Sequence, residues 1–159
     1  MDQPELRDCA GKLLVGVHRR ISFVNDRTSE IWREFRAREK AIEGRRGHES
    51  YSVKVYDAGY SFANLDPSAE FEKWAAAEAS ESCEGFDMLE VPEGKYAVFI
   101  HKGPASAAAL TFGYVFGEWL PNSVFELDHR PHFEVLPAGY VPFNPDGEEE
   151  VWIPVREKA

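Results

Sequence analysis

The sequence is poor in the residues that would commit it to several common functions. Cysteine occurs twice, at Cys9 and Cys83, far apart and in no CxxC spacing. The chain therefore reads as one with free thiols in a reducing, cytoplasmic compartment rather than one stapled by disulfides. Positive charge is also scarce, with 18 Lys and Arg against 28 Asp and Glu and a net charge of −10. Nucleic-acid affinity rests on clustered Lys and Arg that displace counterions, so no direct nucleic-acid partner is expected. No run approaches the roughly 18 apolar residues of a membrane span, and the opening MDQPELRDCAGK lacks a basic start followed by an apolar core. Neither a membrane partner nor a leader is expected. Nucleophile elbows, phosphate-cradling glycine loops and paired Cys-His signatures are missing, so covalent catalysis has no vehicle and no cofactor is implied. The segment DHRPH gathers Asp128, His129 and His132, but Pro131 interrupts it and no further ligand is local, so no metal site is expected.

What the sequence does have is apolar and aromatic mass. Its 159 residues are 43% hydrophobic and 13% aromatic, enough for one domain spanning 1–159 with a substantial core. The densest stretch runs from Gly94 to Val135. Tyr96, Val98 and Ile100 alternate with Ala97, Phe99 and His101, apolar on both faces, as in a central strand. After Gly103-Pro104, the residues Ala108, Phe112, Val115, Phe116 and Trp119 recur at helical spacing up to Pro121. At 100° per residue Tyr114 and Glu118 fall one turn apart beside that apolar face, where they would flank a cavity.

The rest of the chain divides in the same way. Residues 1–10 are polar and read as a loose lead-in. Lys12 to Ile21 reads as a strand, Ile31, Trp32, Phe35 and Ile42 as a helical stripe, and Ser52 to Tyr56 and Glu70 to Ala79 as two more strands. GKLLVGVH at Gly11 to His18 matches GKYAVFIH at Gly94 to His101, and EKW at Glu72 to Trp74 echoes EVW at Glu150 to Trp152. Two strand-helix-strand-strand repeats, about 11–80 and 86–157, are therefore predicted, with Val15 and Val98 in equivalent places. They imply an α+β, pseudo-twofold and mostly antiparallel sheet with two helices on one face and a cleft at the joint. His18 and His101 read as structural histidines.

The segments GKYAVFIHKGP, GEWLPNS, LDHRPHFEV and EEEVWIPV resemble the GyrI-like family, the effector-binding domain of multidrug-responsive and AraC-type regulators, and the likeness runs through essentially the whole chain. It implies two strand-helix-strand-strand modules around a cleft that takes bulky, often cationic aromatic compounds through an acidic residue and surrounding aromatics. Some stand-alone members look like hydrolases of cyclopropane-containing natural products that use a Glu and a Tyr. On this resemblance Glu134 matches the ligand-facing acid, while Glu118 and Trp119 belong to the EWLP motif. Ala105 stands where an aromatic is common and Val124-Phe125 where Gly-Tyr is usual, which implies a pocket of different shape. The acidic composition and the length of the chain point to a protein that is not itself a DNA-binding regulator.

The expected ligand set is Glu134, Glu118, Trp119, Tyr114, Phe133, Trp74 and Trp152. A carboxylate within the apolar strand His132 to Leu136 is costly to bury unpaired, so an inward Glu134 needs a partner or a raised pKa. The aromatics would supply flat faces for a cationic guest. The leading expectation is a stand-alone protein that binds a bulky aromatic, often cationic small molecule. One alternative is a hydrolase of strained electrophiles, with Glu134 activating water and Tyr114 protonating the leaving group. Another is a protein-interaction module such as a topoisomerase inhibitor.

Overall fold

Alternating apolar and polar residues dictate most of the architecture seen in the computed structural model, which describes residues 3–159. In chain order the elements are β1 (Glu5–Cys9), β2 (Lys12–Ile21), α1 (Thr28–Arg38), β3 (Ser50–Val55), β4 (Phe71–Glu78), β5 (Asp87–Val91), β6 (Gly94–Lys102), α2 (Ala108–Tyr114), α3 (Leu120–Asn122), β7 (Phe125–Leu127), β8 (His132–Leu136) and β9 (Glu148–Glu157). The strands form one antiparallel sheet in the order β1-β6-β9-β8-β3-β4-β2-β5, with β7 beside β9. The first module, β2-α1-β3-β4, and the second, β6-α2-β8-β9, meet where β3 pairs β8, with Val53 opposite Phe133.

Residues 5–9 are not a loose lead-in. They form β1, which pairs with β6 of the second module, while β5 pairs with β2 of the first. Each module thus lends its leading strand to the outer edge of the other. In the sheet order β1 and β2 lie six strand spacings apart, roughly 29 Å if flat. Yet only Ala10 and Gly11 join them, a span of at most about 11 Å. The sheet must therefore curl until its ends meet. The two connections cross there: Gly11 has φ of 91°, and a Cβ on it would lie 3.2 Å from the Val91 carbonyl oxygen.

The curl encloses a core on the face away from the helices, built from Leu14, Tyr51, Val53, Trp74, Tyr96, Phe133 and Trp152. On the opposite face α1 buries Ile31 and Phe35 against Val15, Val17, Phe71 and Ala75. There α2 and the turns after it cover Ala97, Phe99, Val151 and Ile153. The ExW echo holds in three dimensions. Trp74 and Trp152 lie opposite Val53 and Phe133, the central pair, and each donates its indole N–H to the Glu two residues earlier, Glu72 and Glu150. The GKxxVxxH echo does not hold. Val15 packs under α1 whereas Val98 belongs to the core on the other face. That alignment is offset by an odd number of residues, and in a strand an odd shift exchanges the faces.

The motif glycine Gly94 has a different task. A Cβ there would lie 2.4 Å from the Arg130 guanidinium, which is bonded to Asp128, to the Lys95 and Val155 carbonyls, and sits 4.6 Å over the Tyr96 ring. The basic residue of DHRPH is thus a brace between β6 and β9. His101 is also structural: Nε2–H donates to the Pro104 carbonyl and Nδ1 accepts from the Thr111 hydroxyl. His18 stacks on Trp74 and lies 3.0 Å from Asp87. Both cysteines are free thiols, and among the described residues no helix is long and apolar enough to cross a membrane.

Candidate functional site

The two helices leave the middle of the sheet uncovered, and the loops β3–β4 and β8–β9 rise beside the opening. Each loop is tied to the approach of its own module's helix. Val24 N–H donates to the Pro67 carbonyl at 3.2 Å and Ala105 N–H to the Pro142 carbonyl at 2.7 Å. Between them lies a cavity of about 1050 Å³, at the upper end of the size that holds a drug-like molecule. Trp32 and Phe71 line the first-module side, Phe112 and Phe116 the second, and Tyr56, Tyr60 and Phe62 the wall between.

Four charged side chains from four adjacent strands reach its floor: Lys73 on β4, Lys54 on β3, Glu134 on β8 and Glu149 on β9. Alternation explains it, since Lys54 lies opposite Lys73 in the ladder and Glu134 is diagonal to both Lys54 and Glu149. Lys54 Nζ is 3.9 Å from Glu134 Oε1, with side chains 18% and 14% exposed, and 4.1 Å over the Phe112 ring. Glu134 is therefore paired, which meets the cost that an inward carboxylate would otherwise incur.

Glu149 is 4% exposed. Burial first, and then the Glu134 carboxylate, push it up to about 8, so it holds a proton at neutral pH. The Tyr140 hydroxyl lies nearby, its pKa raised by burial and then by Glu149, but neither it nor Glu149 Oε1 attains hydrogen-bond geometry. Lys73, 6% exposed, is lowered to about 8 by burial and then by Lys54. His132 is held down at about 3 by burial and then by Lys54, so it is neutral, and it stacks on Phe62 with ring planes 12° apart.

Of the residues singled out from sequence, the structure brings Glu134 to the cavity. Trp74, Trp152 and Phe133 point their side chains into the core on the far face, where Phe133 stacks on Trp152 at 5.2 Å. Tyr114 and Trp119 pack edge-on against Phe99 beneath the helix, and Glu118 is exposed. Tyr114 closes the regular helix about 200° around from Phe112, which puts it on the face away from the cavity. Glu118 lies in a π-helical segment, Val115–Trp119, whose wider turn takes it out of the 100° progression, so Tyr114 and Glu118 do not share a cavity-facing stripe. Phe112 and Phe116 face the cavity instead.

Residues 2–156 match the GyrI-like small molecule binding domain. The chain belongs to that family. It is 28% identical over 146 residues to the transcriptional regulator BrlR of Pseudomonas aeruginosa, covering 89% of this chain and 51% of BrlR, so it spans about half the length of that relative. Among solved structures, SAV2435 bound to tetraphenylphosphonium superposes with a TM-score of 0.75 at 15% identity, covering 98% of this chain and 94% of the other. The EcmrR C-terminal domain does so with 0.69 at 17% identity, covering 98% of each. The fold is thus that of GyrI-like structures: two helices on a nine-stranded antiparallel sheet.

Proposed function

We propose that this GyrI-like domain captures a bulky aromatic small molecule in the cavity between its helices, with cationic groups directed to Glu134 and Glu149. The observation that carries the reading is a cavity of about 1050 Å³ walled by aromatic rings over a floor that holds the Glu134 carboxylate and, beside it, the protonated Glu149 carboxyl. Flat rings tolerate many guest shapes, and a carboxylate in a poorly hydrated site attracts a cation strongly without requiring one geometry. That the structure of SAV2435 is bound to tetraphenylphosphonium supports the same chemistry here.

The test is titration with tetraphenylphosphonium, read by quenching of Trp32, the one tryptophan among the described residues that lines the cavity. Binding that is weakened by Phe112→Ala and Glu149→Gln, and untouched by Glu118→Gln, is the expected result. No binding, or equal effects of all three, overturns the reading.

A second reading, hydrolysis of a strained electrophile, has one observation in its favour. Tyr140 and Glu149 present buried polar atoms without hydrogen-bond partners close to Glu134. In that case Glu134 activates water and Tyr140, rather than Tyr114, protonates the leaving group. Tyr140→Phe then abolishes turnover while leaving binding intact, whereas Tyr114→Phe changes neither.

A further inference from the structure

Glu134 has Lys54 and Glu149 carries a proton, but Lys73 has no such neutralisation. Its side chain is 6% exposed, lines the cavity floor and faces Lys54 across the ladder. Among the described residues no carboxylate forms an ion pair with it. Asp26 lines the same cavity and its charge favours the Lys73 ammonium from a distance, but it is exposed, its Oδ1 is bonded to the Thr28 N–H and hydroxyl at 2.9 and 2.6 Å, and it forms no ion pair with Lys73. Arg36, on the α1 wall, is satisfied by Glu39 at 3.1 Å. Arg33 stands exposed at the mouth, and Arg19, opposite Lys73 on β2, is paired with Glu34 at 3.0 Å. His132 is neutral. The four strand-borne side chains of the floor therefore carry a positive surplus, at the first-module end, in a protein whose net charge is −10. A buried ammonium with no counter-ion is unfavourable unless a ligand supplies one.

We propose that Lys73 is an anion subsite within the cavity, and that the ligand is an amphoteric aromatic compound: a carboxylate or similar anion on Lys73, and a cationic or hydrogen-bond-donating group on Glu134 and Glu149. This rests on the reading of the cavity as a ligand site and adds the second half of the recognition. Lys73 and Lys54 sit on first-module strands and the two glutamates on second-module strands, so the floor is a dipole laid across the joint. A guest of opposite polarity lies along it with its rings against Phe112, Phe116 and Phe71. Because Lys73 is short of protons near its own pKa, an anion arriving there draws a proton from solvent.

Rhodamine B, which has a free carboxylate beside its cationic xanthene, and rhodamine B ethyl ester, which has the same rings and cation without the carboxylate, form a matched pair of probes. Anisotropy titration is expected to show the free acid binding about 10- to 100-fold tighter, the range for a hydrogen bond to a charged group. Lys73→Met is expected to abolish the difference. Lys73→Gln, which keeps a polar head, is expected to do the same and separates loss of the charge from a packing fault. Calorimetry near pH 8 to 9 in buffers of different ionisation heat should register more proton uptake with the free acid than with the ester, a difference that Lys73→Met removes, since any proton released at Glu149 is common to both dyes. A wild-type protein that binds tetraphenylphosphonium but gains nothing from the carboxylate overturns the anion subsite and leaves the cavity reading standing. A preference for the free acid that survives Lys73→Met also overturns it. Failure to bind either dye and tetraphenylphosphonium removes both.

Discussion

Lys54 Nζ lies 3.9 Å from Glu134 and 4.1 Å above the Phe112 ring, so one lysine from the first module touches both the acid and the aromatic wall of the second. This ammonium occupies the place where a cationic guest would be drawn. A monovalent cation therefore competes with Lys54. Lys54→Met is expected to tighten tetraphenylphosphonium about fivefold, corresponding to about 1 kcal/mol for a partly exposed pair. Glu134→Gln is expected to weaken it and to lower stability by a similar amount, since it leaves Lys54 without its partner. Fluorescence titration and urea melts read the two effects. Weaker binding by Lys54→Met would show that the lysine assists rather than competes.

Glu149 makes stability depend on pH. Its folded pKa is raised from 4.5 to about 8, so the folded state holds a proton that the unfolded chain releases earlier. Stability is therefore highest at and below about pH 4.5 as far as this group is concerned, and declines as pH rises towards 8. Glu149→Gln should flatten that decline and give a variant more stable than the parent at pH 8. A parallel decline in parent and variant would place the titration elsewhere.

Lys73 shifts in the opposite sense. A lysine lowered from 10.5 to about 8 costs stability while it is charged, fully below pH 8 and not at all above about 10.5. Lys73→Met is expected to raise the stability of the ligand-free protein at pH 7 by about 1–3 kcal/mol, with the gain vanishing toward pH 10.5. Urea unfolding across that range measures it. A destabilised variant at pH 7 would mean that the ammonium is already neutralised within the fold.

Gly94→Ala tests the brace. Arg130 is fixed by Asp128, by two carbonyls and by the Tyr96 ring, so it cannot retreat from a new methyl group 2.4 Å away. A loss of about 1–3 kcal/mol, the usual cost of overpacking, is expected in thermal or urea melts. Adding Arg130→Ala should cost less in the Gly94→Ala background than alone, because the clash disappears with the guanidinium.

The modular fold was legible because periodicity records which face of an element is dry. Ile31 and Phe35 announce α1, and the alternation from Tyr96 to His101 announces β6. Glu134 was legible as a carboxylate in an apolar strand. Lys54 carries the same signal, a single charge inside SVKV, while Lys73 stands beside Glu72 in FEKWAAA, where alternation puts the two on opposite faces; alternation from Val151 places Glu149 on the helix side. The wrong faces for Trp74, Trp152 and Phe133 have a different origin. Both faces of this sheet are buried, one by helices and one by the curl, so an apolar strand does not say which face is which. The π-turn at Val115–Trp119 left no mark in the periodicity, and it took Glu118 out of the stripe expected beside Tyr114. The role of β1 was hidden because ELRDC is a polar edge strand whose partner, β6, lies far along the chain.

The exchanged leading strands give each half of the chain an unfinished shape. The half that contains β1 to β4 has a free strand, β1, and an unfilled edge along β2, and the other half has the same pair of features in β5 and β6. Each half is therefore a plug that fits the other's socket, and also one that fits a socket of its own kind. Cut at the exposed stretch between β4 and β5, the halves should recombine from solution into the parent sheet. Made alone, either half has what it needs to clasp a second copy of itself across the β3 or β8 seam. The single chain reads as such a clasped pair joined into one polypeptide. On that view the cavity is the crevice between two formerly equal partners, and it acquired its polarity when one contributed lysines and the other glutamates.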